Sequence, residues 1–153
     1  MTFLLKTLQT PADPVALILR LSLGLVIFPH GAQKLIGWFG GPGLGGTIDG
    51  MQSQYGLAPS LTLLVIVAEF FGPLALAAGF LTRFSAAAIG LVMLGAMFMV
   101  HLPFGFFMNW SGAQAGEGFE YHLLALGLAI ALVMRGGGAW SMDHHLTRGR
   151  PES

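Results

Sequence analysis

Residues 60–81 read SLTLLVIVAEFFGPLALAAGFL, an apolar run interrupted by one carboxylate, Glu69, and one proline, Pro73. A helix that crosses the hydrocarbon core of a bilayer needs about 20 mostly apolar residues. This run meets that length. Placing a charge inside it costs roughly 2.5–3.5 kcal/mol on insertion scales, so Glu69 needs a partner or a task. Outward from this segment, three more runs have the same character: about 15–36 (VALILRLSLGLVIFPHGAQKLI), 84–108, and 119–134, which is the shortest.

Composition agrees. The chain is 54% hydrophobic and 9% charged, against about 25% charged in a soluble domain. So few charges cannot cover a soluble surface, and lipid must face much of it. Formal net charge is zero, which leaves no electrostatic footprint for nucleic acid. There are no cysteines, which excludes a disulfide framework, a thiol redox pair and thiolate metal ligands on this chain.

The expected fold is all-α, an integral membrane four-helix bundle of up-down topology, formed as one domain over 1–153. Thr82 and Arg83 leave only a tight turn between the second and third spans, and Asn109 to Gly118 is a polar loop. In the Gly-rich segment 37–59, Leu44, Ile48, Met51 and Tyr55 recur at helical spacing and suggest a short interfacial helix. The first run is too long for a secretory h-region and reads as an uncleaved anchor. Lys6, Arg83, Arg135, Arg148 and Arg150 fall on one side of this layout, and Lys34 is the basic residue near the other. The positive-inside rule then places both termini and the tail 135–153 in the cytoplasm.

Ionisable residues converge on the outer half. The first span holds Arg20, His30 and Lys34, the second Glu69, the third His101, and the fourth opens with Glu120, Tyr121 and His122. At about 100° per residue, Arg20, His30 and Lys34 share an arc of roughly 80°, read as one inward stripe. Arg20 is the expected charge partner of Glu69, with Lys34 snorkelling to the surface. Pro29, Pro73 and Pro103 stand beside His30, Glu69 and His101. Each proline frees a helix carbonyl that lipid cannot satisfy. A polar cavity in the outer half is the expectation. Small residues such as Gly24, Gly31, Gly72, Gly90 and Gly95 provide close helix contacts.

Taken together, these segments resemble the DoxX family. The matching stretches are RLSLGLVIFPHGAQKL at Arg20–Leu35, AEFFGPLALAAGFLTR at Ala68–Arg83, HLPFGFFMNWSG…GEGFEYHLLAL from His101 to Leu126, and GGGAWSMD at Gly136–Asp143. The resemblance implies a small four-helix protein of the bacterial inner membrane, related to the DoxD-type subunit of thiosulfate:quinone oxidoreductase. It also implies association with redox enzymes; some members act beside superoxide dismutase and a sulfurtransferase.

Three functional readings follow. In the first, His30, Glu69, His101, Glu120, Tyr121 and His122 line a site for a quinone, with Phe70, Phe71, Phe104, Phe106 and Phe107 flanking the ring. The competing reading of the same polar groups is a structural network that keeps helices in register, and of the aromatics, lipid-facing filler. In the second, the prolines mark broken helices of a small transporter, which would require a homo-oligomer. In the third, the protein is a non-catalytic anchor whose tail docks soluble redox enzymes on the cytoplasmic face. No metal site is expected, since a Glu-x-x-His motif is absent.

Overall fold

The computed structural model describes residues 7–148, and among them it contains helices and turns but no strand. Lys6 and Arg150, used above to orient the chain, lie outside the described residues. The helices are α1 (Pro14–Ile36), α2 (Gly43–Tyr55), α3 (Pro59–Ala78), α4 (Thr82–Ala96), α5 (Glu120–Arg135) and α6 (Met142–Thr147). A π turn (Met97–His101) and a 3-10 turn (Leu102–Phe104) extend α4.

Local chemistry sets these limits. The Asp13 carboxylate accepts a hydrogen bond from the Val15 N–H and Pro14 occupies the first turn, so α1 starts there. Gly79, at φ 65°, closes α3 by sending its N–H back to the Ala75 and Leu76 carbonyls. That left-handed cap ends the helix three residues before the expected Leu81. Pro103 cannot donate a helix hydrogen bond, and the third helical run stops at Phe104 rather than at the expected Met108. The short helix expected in 37–59 is present as α2, which packs on α1 and α3.

Three helical stretches are long and apolar enough to cross a membrane: Pro14–Ile36, Pro59–Ala78 and Thr82–Phe104. The fourth expected span, α5, has 16 residues, a length of about 24 Å.

α1 packs against α3 and α5, and α4 packs against the same two helices. Contacts between glycines and their neighbours give the directions. Gly24 faces Pro73 while Gly31 faces Glu69, Gly72 faces Ile89, and Gly90 faces Ala129. The first two contacts run in opposite order along α1 and α3, so these two helices are antiparallel. Gly31 brings α1 directly onto the α3 backbone: a Cβ there would collide with the Glu69 carbonyl and the Phe70 nitrogen. That carbonyl is the one Pro73 frees by lacking an N–H. Gly95 differs from the expectation, because nothing lies within 4 Å of the position a Cβ would take.

Leu23, Ile27, Leu76, Ala86, Ile89, Met93, Ala125, Ala129 and Leu132 form the core. Outside it every long helix exposes large apolar side chains, among them Leu25, Leu64, Leu91 and Leu124. Small residues at the close helix contacts, with large apolar side chains facing outward as well as inward, are the pattern of helices solvated by lipid.

One end of the assembly carries His101 and His122, the other Arg20, Arg83 and Arg135; they are termed here the histidine end and the arginine end. The arginine end is heavily cross-linked. Arg83 donates to the Thr7, Gln9, Val133 and Met134 carbonyls, and Arg135 pairs with Asp13. The Asp143 carboxylate, brought in by α6, accepts from the Leu81 and Thr82 N–H groups at 2.8 Å each. It thereby caps α4 from a distant part of the chain, where Leu81 itself offers no side-chain cap.

Candidate functional site

The site is built around Glu69, which is buried on α3. Its carboxylate lies 2.5 Å from the Lys34 ammonium of α1. This corrects the expectation that Arg20 would be its partner and that Lys34 would reach for the surface. Side chains on a helix lean toward its N-terminus. Because α1 and α3 are antiparallel, Lys34 leans toward the arginine end and Glu69 toward the histidine end, so the two meet. Arg20 leans away from Glu69 and reaches the end of α3 instead. There its guanidinium donates to the Leu76, Ala77, Ala139 and Trp140 carbonyls. Cations are well placed at a helix C-terminus, where unpaired carbonyls accumulate. Arg20 is fully buried, and Asp143 is its electrostatic counterpart.

α5 contributes Tyr121 and His122. The His122 ring packs against His101 of the π turn at a tilt of 41°, with centroids 4.2 Å apart, and meets Tyr121 edge-on at 5.4 Å. His101 ends the π turn, a kind of helical bulge that is frequent at functional sites. His101 Nδ1–H donates to the Glu117 carbonyl at 2.8 Å. Glu69 is within electrostatic range of both Tyr121 and His30, and His30 is within range of His122. Thus Lys34, Glu69, Tyr121, His122 and His101 gather from four helical elements.

His30 is exposed on α1 rather than inside. Its angular position explains this: about 80° from Arg20, it falls at the margin of the buried arc formed by Arg20, Ile27 and Gly31. It belongs to the rim of the cluster. Glu120 is also displaced from its expected role. Its Oε1 accepts from the Met108 N–H at 2.9 Å and the Trp110 indole at 3.4 Å, which ties down the loop before α5. In the same loop the Gly118, Phe119 and Glu120 N–H groups bond to the Phe107, Gly105 and Phe106 carbonyls.

Two polar atoms of the cluster outside the ion pair, Tyr121 Oη and His122 Nδ1, are buried without a hydrogen-bond partner, as are Thr62 Oγ1 on α3 and Arg20 Nε and Thr82 Oγ1 at the arginine end. An unpaired buried polar atom costs about 1–3 kcal/mol, and native structures keep few of them. Between α1 and α3, Phe28 and Phe70 pack ring to ring at 5.5 Å, and Phe71 meets Phe70 at 5.0 Å. Phe104, Phe106 and Phe107 are exposed in the loop region. Among the described residues no three His, Asp or Glu side chains converge as a metal would require.

Lys34 is the participant that sequence reasoning placed elsewhere. The lean of antiparallel helices toward each other's side chains was the signal available to find it.

Long apolar helices, leucines facing outward and an ion pair held inside define the class: a helical membrane protein. Comparison with family models narrows this. The model of the DoxX family matches residues 15–102, more than half of the chain, and the protein belongs to that family. The match includes His30, Lys34, Glu69 and His101 and ends before Tyr121 and His122. No curated protein and no solved structure matches the chain significantly.

Proposed function

We propose that the protein is a subunit of quinone-linked redox metabolism, serving sulfur or oxidative-stress chemistry, in the bacterial inner membrane. In this reading it crosses the membrane four times as one domain, with α5 as the short fourth span. The arginine end and both termini face the cytoplasm, since Arg83, Arg135 and Arg148 lie there. The histidine end then faces outward, and its polar groups line a cavity for the quinone head.

The observation that carries the reading is the pair of unpartnered buried atoms, Tyr121 Oη and His122 Nδ1, beside the Lys34–Glu69 ion pair. A quinone bound there would supply two-electron, two-proton chemistry. The chain's own groups suit its two oxygens. The Tyr121 hydroxyl donates to one acceptor, and the His122 imidazole donates or accepts according to its tautomer. Glu69 and Lys34 hold opposite charges in place, so the pair is net neutral beside the site. Phe28, Phe70 and Phe71 form an aromatic cluster on α1 and α3, the helices that carry the ion pair. His101 joins the cluster to the outer loop through Glu117, and His30 stands at its rim.

The test is extraction of the protein purified in mild detergent, with quinone measured by mass spectrometry. The wild-type chain is expected to carry quinone and a Tyr121→Phe/His122→Phe variant to carry little. A well-folded wild-type chain that carries none, and that binds none when it is added, would contradict the reading. The alternatives are a small transporter assembled as a homo-oligomer, and a non-catalytic anchor for soluble redox enzymes. Flux in proteoliposomes that depends on Glu69 would favour the first.

A further inference from the structure

α6 is built inside out for a helix in water. Its polar residues, Asp143 and Thr147, are buried against the arginine end, and Ser141 is buried at its start. Its apolar residues, Met142 and Leu146, are exposed, and so is Trp140 immediately before it. Both pairs are spaced i, i+4 and lie about 100° apart on the helix, with the polar pair inward and the apolar pair outward beside the exposed His145.

The buried face is fully engaged. Asp143 accepts from Leu81 and Thr82, its own N–H donates to the Gly79 carbonyl, and Thr147 Oγ1 donates to the Asp143 carbonyl at 2.8 Å. The Ser141 hydroxyl donates to Gly138 and accepts from the His144 N–H. These bonds fix which face turns outward. The backbone of Trp140 is held at φ 53°, a left-handed conformation that L-residues rarely adopt. That conformation leaves the indole 76% exposed.

The outward face is continuous with a membrane-crossing helix. Trp140, Met142, His145 and Leu146 line, together with Ala78, the last residue of α3, an apolar recess of about 440 Å³. Leu74, one turn back along α3, is exposed as well. Lipid that covers the end of α3 therefore meets the same surface. His145 and Arg148 on the exposed side supply polar groups at headgroup level. Apolar side chains with tryptophan below and basic groups above are the arrangement of an interfacial helix. A six-residue helix would not hold such a shape alone; here the buried bonds hold it before lipid arrives.

We propose that the Trp140, Met142 and Leu146 face is seated in the headgroup–acyl boundary of the leaflet at the arginine end. The tail then anchors the bundle's depth in the membrane. It is not a handle for a soluble partner. This rests on membrane insertion and not on the quinone reading.

Because the chain has no cysteine, Leu146→Cys gives a single spin-label site in lipid nanodiscs. Oxygen partitions into lipid and a nickel chelate into water. Leu25→Cys, on the exposed side of α1, and Gln114→Cys, in the outer loop, serve as lipid and water references. The ratio of oxygen to nickel accessibility at residue 146 is expected to stand several-fold above that at 114 and to approach that at 25. A ratio like that at 114 would overturn the proposal. Shielding from both reagents would also overturn it, because a protein partner or a second copy would then cover the face. In a Trp38→Phe/Trp110→Phe background, with α6 unchanged, lipids brominated on the acyl chain are expected to quench Trp140 fluorescence; absence of quenching would count against the proposal in the same way.

Discussion

Gly31 brings α1 onto the Glu69 backbone more closely than any side chain permits. Replacing it by alanine must push the two helices apart, and overpacking of this kind typically costs about 1–3 kcal/mol. Gly31→Ala is expected to lower the thermal midpoint in detergent, while Gly95→Ala, with open space around it, is expected to leave the midpoint unchanged or raise it slightly. The ion pair behind Gly31 makes a second prediction. Lys34→Met strands a buried carboxylate and is expected to destabilise by about 3–5 kcal/mol, with much of this recovered in Lys34→Met/Glu69→Gln. Additive losses in that double-mutant cycle would separate the two groups. A third residue acts at the arginine end, outside the membrane. The Arg135 side chain, and then the Val15 N–H, hold the Asp13 carboxyl below its ordinary range. A carboxyl depressed in the folded state stabilises above its unfolded pKa and loses that contribution as pH falls through the folded value. Stability should therefore decline in acid more steeply in the wild type than in Asp13→Asn, measured as thermal midpoint against pH below about 4. Arg20 was the expected partner despite an axial offset of roughly 10 Å, because the register of α1 on α3, which sets Gly31 level with Glu69 and so brings Lys34 within a turn of it, is not legible in either segment alone. The lean of each side chain, opposite on antiparallel helices, decided for Lys34.

At the scale of elements, hydrophobic runs marked α1, α3 and the helical run beyond Thr82 to within a few residues, because lipid demands uninterrupted apolar length from each segment separately. Glycine and proline then accounted for most of the remaining error. Gly79 closes α3 early, and Pro103 ends the stretch after a π turn that no apolar pattern announces. The loop before α5 was legible as polar but not in shape, since its form depends on the backbone pairing of 105–107 with 118–120 and on the Glu120 carboxylate. For the same reason Glu120 looked like a site residue. α6 was hidden more deeply. Asp143 is 1% exposed and its partners, Leu81 and Thr82, are about 60 residues away along the chain. Asp143→Ala removes two capping hydrogen bonds from α4 and releases α6. A loss of about 2 kcal/mol or more is expected, together with a rise in proteolysis of the tail. A tail digested no faster than in the wild type would show that α6 is held by other means.

The whole molecule divides into two ends with different work. The arginine end spends its charges on carbonyls and caps, and joins the first turn of α1, the α3–α4 turn, the end of α5 and α6 into one plate. The histidine end keeps an ion pair, two histidines in tilted ring contact and the unpartnered Tyr121 Oη and His122 Nδ1, although Arg20 Nε and Thr82 Oγ1 at the arginine end are unpartnered too. Chemistry is expected at the second and rigidity from the first. Reporter fusions at both termini are expected to show the cytoplasmic side, and an active external reporter at the C-terminus would invert this picture. The central claim is that the histidine end holds a quinone head through Tyr121 and His122. Its most direct measurement is the equilibrium binding of a short-chain quinone to the chain in nanodiscs. The loss of one neutral hydrogen bond, about 1 kcal/mol, should weaken binding roughly fivefold in Tyr121→Phe and leave it unchanged in Trp140→Phe. Equal affinity in the wild type and Tyr121→Phe, or no saturable binding to either, would contradict it.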